Sequence, residues 1–374
     1  MKNTNILYKA VFPGKYIQGE GALEQLPDYI NYFGKKGLIL TSRSVQEKIL
    51  PIYAGDYNPD SIIIESFGGE CCENEIDRLS RIINQKRVDV LIGMGGGKVI
   101  DTVKIAADRT AIPVIIVPTI ASTDAPCSGC AVLYTEDHIF VSVHYQKMNP
   151  QVVLVDTTVI ANAPIRFLIA GMGDALATWF EARACARTES QNECGGYSTL
   201  TGLSLARLCY DTLMADGVTA KFDCERHTIT PALNHIIEAN ILLSGIGFES
   251  SGLAAAHSIH NGLTALEDTH HFYHGEKVAF GVLAGLHLTN ASPLEMEEVY
   301  SFCEKIGLPT TLADIGVKKN NRDKLFGVAQ KSCASTEAIR HEPVVITPEK
   351  VLEALLAANS MGNARKKTRK MDKS

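Results

Sequence analysis

The sequence predicts an α/β N-terminal domain with a Rossmann-like parallel sheet, followed by an all-α C-terminal domain. Up to residue 156, short runs rich in Val and Ile alternate with amphipathic stretches. Runs of this kind are buried on both faces, as in a parallel sheet that is covered by helices. After Pro164 the apolar residues recur with a period of about 3.6, which indicates helices.

Five apolar runs are predicted strands, and an amphipathic stretch at 74–84 is a predicted helix between the second and the third. Each run is short and contains β-branched residues, which favour strands. The predicted strands lie at 37–41, 61–65, 88–92, 113–117 and 152–156.

The change of pattern before Pro164 predicts two domains, at 1–163 and 164–374. A ligand is expected in the cleft between an α/β half and a helical half. No internal repeat or low-complexity segment interrupts this organisation. The predicted helices of the second half lie at about 166–187, 196–215, 227–265, 276–290, 295–306 and 348–360.

Composition and charge exclude several classes of protein. With 374 residues, 45% hydrophobic and 21% charged, the chain is globular rather than disordered or fibrous. A net charge of -6 argues against a general nucleic-acid binder, and the basic run 365–370 is interpreted as a solvated chain end. The sequence contains neither a membrane-length apolar run nor a signal-peptide core, so no membrane partner and a cytoplasmic location are expected.

The cysteines predict free thiols rather than a disulfide framework. There are ten, scattered through a large chain without an export signal. Cys127 and Cys130 have C-x-x-C spacing and Cys71 is adjacent to Cys72, but neither pair has the second pair that a structural zinc site needs.

A glycine-rich turn follows the third predicted strand. The strand leads into Gly93-Met94-Gly95-Gly96-Gly97-Lys98, and a helix pattern begins there. Glycines let backbone N–H groups approach a phosphate closely at the positive end of the helix. This turn therefore predicts a pyrophosphate site, and an ordinary strand-to-helix turn is the alternative.

The segment 95–104, GGGKVIDTVK, resembles the GGGKxxDxxK signature of the iron-containing alcohol dehydrogenase superfamily. The segments 118–128, 171–183 and 274–281 are similar to its glycerol dehydrogenase branch, and the likeness runs from about residue 13 to about residue 312. The resemblance implies a dehydroquinate synthase-like architecture, with the dinucleotide in the first domain and a metal ion and substrate in the second. It also implies NAD-dependent oxidation of glycerol to dihydroxyacetone or of another vicinal diol, such as 1,2-propanediol, in a homo-oligomer.

Five histidines and one aspartate form a candidate metal set. Asp174 lies near the start of a predicted helix, and the histidines fall in two groups, His257 with His260 and His270, His271 with His274. One carboxylate, two imidazoles and an open position are a common arrangement for a catalytic divalent metal. Spacing alone leaves the choice open, because the first pair is three residues apart and His270 is four from His274.

The resemblance implies that Asp174, His257 and His274 are the ligands. It leaves His260 as a neighbour of the site, and His270 and His271 are interpreted as residues of the cleft edge or the surface. Iron-dependent members carry a histidine one turn after the aspartate, where this chain has Thr178. Three ligands with a vacant fourth position suit zinc better than iron, so one Zn²⁺ per subunit is expected.

The resemblance also implies the substrate contacts. Asp124, Asp174, His257 and His274 would bind the substrate, and Asp124, His257 and His274 are the expected catalytic residues. The Asp124 carboxylate can accept a hydrogen bond from a further hydroxyl, although capping of the loop beside Pro126 is the alternative. The metal would draw electron density from a substrate hydroxyl, and hydride would pass to the nicotinamide.

The cofactor contacts follow from the same likeness. Lys98 would supply positive charge near the phosphates, and Asp101 would orient the turn or cap the helix. The implied cofactor-binding residues after the second predicted strand are Gly95, Gly96, Gly97, Lys98, Asp101, Thr119, Ser122, Ser128, Cys130 and Tyr134.

One departure bears on the choice of cofactor. The family usually places an aspartate that binds the adenosine ribose after the first predicted strand, where this chain has Ser42 and Arg43. Without that carboxylate, Arg43 could pair with a 2′-phosphate. NAD remains slightly favoured, and NADP is the alternative.

A dehydroquinate synthase-like lyase is an alternative reaction on the same fold. Such an enzyme needs several Lys and Arg side chains to bind a phosphorylated substrate. The residues next to Asp174 and His257 are mostly Ala, Gly, Ser and Leu, which favours the dehydrogenase.

Overall fold

The computed structural model describes residues 6–53, 57–58, 60–318 and 321–371. The chain forms two compact units. The first, called the sheet unit here, contains Val11–Leu168 and Asp223–Gly245. The second, called the helical unit, contains Ile169–Phe222 and the chain from Ile246 onward, together with residues 6–10.

A sheet of six parallel strands forms the centre of the sheet unit, in the order β1-β8-β5-β4-β2-β3. A separate antiparallel hairpin joins β6 to β7. The parallel sheet confirms the predicted fold class. The strands are β1 Tyr16–Gly19, β2 Gly37–Thr41, β3 Ile62–Ser66, β4 Val90–Gly95, β5 Val114–Pro118, β6 Cys130–Tyr134, β7 Phe140–Tyr145 and β8 Val152–Asp156.

The five predicted strands correspond to β2, β3, β4, β5 and β8, while β1 and the hairpin were not predicted. β1 is four residues long and only half-buried, so it lacks the apolar run of a central strand. β7 is mostly exposed along its length. Neither strand therefore has the hydrophobic pattern from which a strand is predicted.

Helices alternate with the strands of the sheet unit along the chain. The predicted helix at 74–84 is α4. The helices of this unit are α1 Leu26–Phe33, α2 Arg43–Lys48, α3 Leu50–Tyr53, α4 Glu73–Lys86, α5 Gly97–Thr110, α6 Thr157–Ala161 and α9 Pro231–Glu238.

The described chain after β8 contains no further strand, only isolated bridges at Tyr197. The helices assigned wholly or largely to the helical unit are α7 Ile165–Thr188, α8 Leu200–Glu225, α10 Ser244–Ser251, α11 Ala255–Leu263, α12 His274–Leu288, α13 Pro293–Ile306, α14 Arg322–Ser332 and α15 Pro348–Met371.

The continuous helix predicted at 227–265 is wrong, because the structure divides that stretch. Pro231 begins α9, a π-helical turn at Ala239–Leu243 separates α9 from α10, and Gly252 with φ 102° ends α10 before α11 begins. A positive φ is strained for residues with a side chain, so glycine is suited to this break.

The basic run 365–370 was interpreted as a solvated chain end, and residues 367–369 are exposed, but the run is helical. It belongs to α15, where Arg365 pairs with Glu297 and Glu304 of α13, and Arg369 also pairs with Glu304. Acidic side chains of α13 thus balance part of this positive charge. They are more than 60 residues away along the chain, so the local sequence does not reveal the pairing.

Candidate functional site

Three helices of the helical unit bring Asp174, His257 and His274 together. The Oδ1 atom of Asp174 on α7 lies 2.9 Å from Nε2 of His274 and 3.5 Å from Nε2 of His257. One ligand atom from each of these residues lies within 4.8 Å of the others. Asp174 is buried, while the two imidazoles are partly exposed. The cluster therefore has the size and donor atoms of a three-ligand metal site.

Glycines allow α12 to pack closely against the helices that carry Asp174 and His257. A Cβ at Gly275 would lie 1.8 Å from the Ala170 carbonyl oxygen on α7. A Cβ at Gly281 would lie 2.5 Å from the Ala256 carbonyl oxygen on α11. Because side chains at these positions would separate the helices, the two glycines permit His274 to approach both Asp174 and His257.

The donor chemistry of this cluster fits a cation. His257 Nδ1 lies 2.6 Å from Glu181 Oε2, a carboxylate that accepts the Nδ1–H, so Nε2 is the ring nitrogen that can bind a metal ion beside Asp174 once its own proton has left. An imidazole nitrogen and a carboxylate oxygen that face each other repel through their lone pairs unless a proton or a metal ion lies between them. The residues present therefore fit a divalent metal with imidazole and carboxylate ligands.

Protons compete with a metal for this cluster. Burial lowers the pKa of His257, but the charges of Glu181 and Asp174 outweigh burial and hold that pKa well above its usual value. Burial raises the pKa of Asp174, but the two imidazoles lower it by more, to well below its usual range. Metal binding must therefore displace a proton from His257.

Glu181 is a buried carboxylate of the candidate site that the sequence did not single out. It is buried on α7, and its Oε1 accepts hydrogen bonds from the Ala254 and His257 N–H groups at 2.9 and 3.0 Å. With the contact to Nδ1, it fixes both the backbone and the ring of His257. A signal existed, because Glu181 follows Asp174 by seven residues and so lies on the same helix face.

The other residues near the cluster occupy distinct positions. His260 Nε2 lies 3.1 Å from His274 Nδ1, so His260 contacts a candidate ligand directly. Burial, with the charges of His274 and Lys277, holds the pKa of His260 well below its usual value. His270 and His271 are exposed, and Thr178 is buried on α7 one turn after Asp174.

The glycine turn lies at the carboxyl end of β4, in the sheet unit. β4 ends at Gly95, Gly96 is the N-cap, and α5 begins at Gly97. The first N–H groups of a helix have no partner within it, and a Cβ added at Gly97 would meet nothing within 4 Å. The open space beside Gly97 and the amides at the helix start suit an anion, so the turn fits a pyrophosphate.

Neighbouring strands place other predicted residues at the same edge of the sheet. Thr41, at the end of β2, pairs in register with Met94 of β4, so Ser42 and Arg43 follow beside the glycine turn. On the other side, the Thr119 N–H donates to the Gly95 carbonyl at 3.1 Å. Ligands bind at this edge in open parallel sheets.

Arg43 and Lys98 both have carboxylate partners. The Arg43 side chain is 90% exposed and pairs with Glu47 of the same helix at 2.7 Å. Lys98 Nζ lies 2.6 Å from the buried Glu70 carboxylate, which also contacts His138 in the β6–β7 turn. Glu70 therefore restrains the Lys98 ammonium beside the glycine turn.

Asp101 does not cap α5, because that helix begins four residues earlier. Its carboxylate instead accepts a hydrogen bond from the Val132 N–H of β6. Burial raises the pKa of Asp101 to about 6. Asp101 thus connects α5 to the hairpin that carries Cys130 and Tyr134.

Lys104 fixes the loop between β5 and β6, and no role was predicted for it. It is fully buried, and Nζ donates to the Ala125 carbonyl, to Ser128 Oγ at 3.2 Å and to the Cys130 carbonyl at 2.9 Å. An ammonium has three protons, so these three acceptors match its donors. Lys104 therefore positions Ser128 and Cys130.

Residues from 223–245 hold the segment that carries Ser122 and Asp124. Ser244 Oγ donates to Asp124 Oδ2 at 2.7 Å. Asn240, in the π-helical turn, donates from Nδ2 to the Ala121 carbonyl at 3.0 Å. Both partners are more than 100 residues away along the chain, so no local pattern predicted these contacts.

We expect Lys104→Met to lower the free energy of unfolding by about 1–3 kcal/mol, because three polar acceptors each lose a donor inside the protein. We also expect a higher KM for the dinucleotide, since Ser128 and Cys130 are released. Urea unfolding and steady-state kinetics measure the two effects. Exposed Lys86→Met is the control; equal effects of the two substitutions would contradict a specific role for Lys104.

All ten cysteines are free thiols. Among the described residues, every helix is too short or too polar to span a bilayer.

The chain is similar to known proteins along nearly its whole length. Residues 13–157 match the sequence profile of the family described as iron-containing alcohol dehydrogenase. A glycerol dehydrogenase of Thermotoga maritima is 50% identical over 357 residues, which cover 95% of this chain and 98% of that relative. A glycolaldehyde reductase of Halobacterium salinarum is 40% identical over 355 residues, with 94% and 96% covered. The crystal structure of a probable glycerol dehydrogenase from Sinorhizobium meliloti superposes with a TM-score of 0.91, at 43% identity, and covers 96% of this chain and 100% of that one.

Proposed function

The chain belongs to the iron-containing alcohol dehydrogenase family and is an oxidoreductase; from this membership we propose that it oxidises glycerol to dihydroxyacetone with NAD and one zinc ion. The observation that carries the proposal is the cluster of Asp174, His257 and His274. Relatives at 46–50% identity that are named glycerol dehydrogenase support the substrate.

The proposed metal is zinc, held by Asp174, His257 and His274. A zinc ion there would lower the pKa of a substrate hydroxyl, and a bound nicotinamide would accept the hydride. Thr178 supports this choice, because threonine stands one turn after Asp174 where a fourth protein ligand would lie. Zinc sites with three protein ligands keep a position open for substrate.

Protein side chains would orient the ligands and the substrate. Glu181 holds the His257 ring so that Nε2 faces Asp174. We propose that Asp124 accepts a hydrogen bond from a second substrate hydroxyl, with Ser244 holding the carboxylate by its 2.7 Å contact. A requirement for two hydroxyl groups would favour vicinal diols over simple alcohols.

The dinucleotide would bind in the sheet unit. Its pyrophosphate would accept hydrogen bonds from the amides at the start of α5, beside the Lys98 ammonium. Thr119, Ser122 and the hairpin residues Cys130 and Tyr134 complete the proposed cofactor contacts. We further propose a homo-oligomer in the cytoplasm, where reducing conditions would keep the ten thiols free.

NAD is the proposed cofactor rather than NADP, because Arg43 is already paired with Glu47 and points largely into solvent. We expect a lower KM for NAD than for NADP. Arg43→Ala should change the KM for NAD by less than about twofold, since exposed ion pairs contribute little. Lys48→Ala, in the same helix, is the control. A lower KM for NADP that rises only in Arg43→Ala would instead assign the 2′-phosphate to Arg43.

Glycerol-dependent formation of NADH tests the proposed function. The protein is first treated with a chelator, and activity is measured before and after zinc or iron(II) is added back under exclusion of oxygen. Loss of activity followed by recovery with zinc supports the proposal. A folded protein that retains zinc but does not oxidise glycerol would contradict glycerol as substrate; 1,2-propanediol, glycolaldehyde with NADH, and NADP are then the alternatives to assay.

A further inference from the structure

The segment 337–342 contacts the helix that carries His257. It contains a 3₁₀ helix at Ala338–His341, in a part of the chain to which the sequence analysis assigned no function. The Ile339 N–H donates to Ser258 Oγ at 2.9 Å, and His341 Nδ1 lies 2.8 Å from the Leu253 carbonyl. Glu342 Oε1 accepts from the Ala255 N–H at 3.1 Å.

The start of α11 has no cap of its own. Its N-cap residue is Ala254, whose methyl group cannot accept a hydrogen bond, and the first N–H groups of a helix need acceptors. Two carboxylates from distant parts of the chain supply them. Glu181 accepts from Ala254 and His257, and Glu342 accepts from Ala255. Together they determine where the helix begins.

The surroundings indicate that the acceptor atom of Glu342 matters more than its charge. A cavity of about 40 Å³ lies between Glu181, Glu342, Arg183 and Arg187. Burial raises the pKa of Glu342 to about 7, and the charge of Glu181 adds to that effect. A carboxyl oxygen accepts a hydrogen bond whether the group is protonated or ionised.

We propose that Glu342 is a positioning residue for the metal ligand His257, which acts by accepting the Ala255 N–H and so fixing the first turn of α11. His257 lies two residues after Ala255, within that turn. Its Nε2 must face Asp174 for both to bind one ion. Glu181 holds the His257 ring through Nδ1. Movement of the helix start would nevertheless displace Nε2 relative to Asp174. The inference rests on the proposed metal centre.

Two substitutions of Glu342 separate position from charge. Glu342→Asp keeps the charge but withdraws the oxygen by one methylene, and we expect zinc to bind about tenfold more weakly. Glu342→Gln keeps an acceptor at the same distance, and its zinc affinity should stay within about twofold of the parent value. Glu337→Asp is the matched control, because Glu337 lies in the same segment and binds the exposed Asn261 side chain of α11.

Zinc dissociation constants are measured on the folded full-length proteins by competition with a chromophoric chelator. Cobalt(II) is also bound in place of zinc, because its visible absorption reports the ligand geometry and a merely structural loss would not alter it. Weaker zinc binding and a changed cobalt spectrum in Glu342→Asp alone support the proposal. Equal affinities in all variants, or equal losses in Glu342→Asp and Glu337→Asp, overturn it.

Failure of the metal centre itself is distinguishable. If the unsubstituted protein binds neither zinc nor cobalt, the proposed function fails and the role of Glu342 fails with it. If the unsubstituted protein binds zinc and Glu342→Asp binds it equally well, only the positioning role is overturned.

Discussion

Asp174→Asn is expected to abolish zinc binding at physiological concentrations and to lower kcat for glycerol oxidation by at least about a thousandfold. Asparagine is nearly the same size but carries no charge, and a neutral amide oxygen is a weaker ligand for zinc. It also removes the anion toward which the Nε2 atoms of His257 and His274 point. The zinc content of the purified protein and its steady-state kinetics measure the two effects.

The matched control is Asp211→Asn, which removes an exposed carboxylate that pairs with Arg207 on α8. It should leave both zinc content and kcat unchanged. Circular dichroism would establish that both variants are folded. An Asp174→Asn protein that retains one zinc per chain and most of its activity would show that the ion is held elsewhere.

The second large effect is expected for Glu181→Gln. The amide can present only one oxygen, whereas the carboxylate uses one oxygen for two backbone N–H groups and the other for His257 Nδ1. We therefore expect a zinc dissociation constant about 10–100-fold higher. Once zinc is saturating, kcat should recover substantially, because all three ligands remain.

Glu298→Gln is the control for this substitution, because it removes another carboxylate, one that accepts a hydrogen bond from Tyr210. Chelator competition and activity titrated with added zinc measure the result. A Glu181→Gln protein with parental zinc affinity would contradict the orienting role. A loss of kcat that added zinc does not restore would indicate that Glu181 affects a step after metal binding.

The central strands were predictable because their physical signal is local. A strand buried on both faces must consist largely of apolar residues. The fully buried strand β4, Val90–Gly95, is an example. Edge strand β1 is half-buried and hairpin strand β7 is mostly exposed, so neither needs a continuous run of apolar residues. The π-helical turn before Ser244 likewise has no local composition that distinguishes it from an α-helix.

The candidate site was predictable only in part for a similar reason. Histidine spacing did not separate His257 from His260, because both lie on one helix and the choice depends on which ring faces Asp174; the family likeness supplied that choice. Asn240 and Glu342 act through contacts with backbone groups far away in sequence. Such contacts depend on tertiary packing, which a single sequence does not display.

The sheet unit includes Asp223–Gly245, and this has a consequence for synthesis of the chain. All its strands have been translated by residue 156, but Asn240 and Ser244 follow only after α7, α8 and α9. While the ribosome is still making α7 and α8, the Ala121 carbonyl and the Asp124 carboxylate lack these partners. A nascent chain that is stalled before residue 240 would therefore expose this loop to protease, and release of a longer chain would protect it.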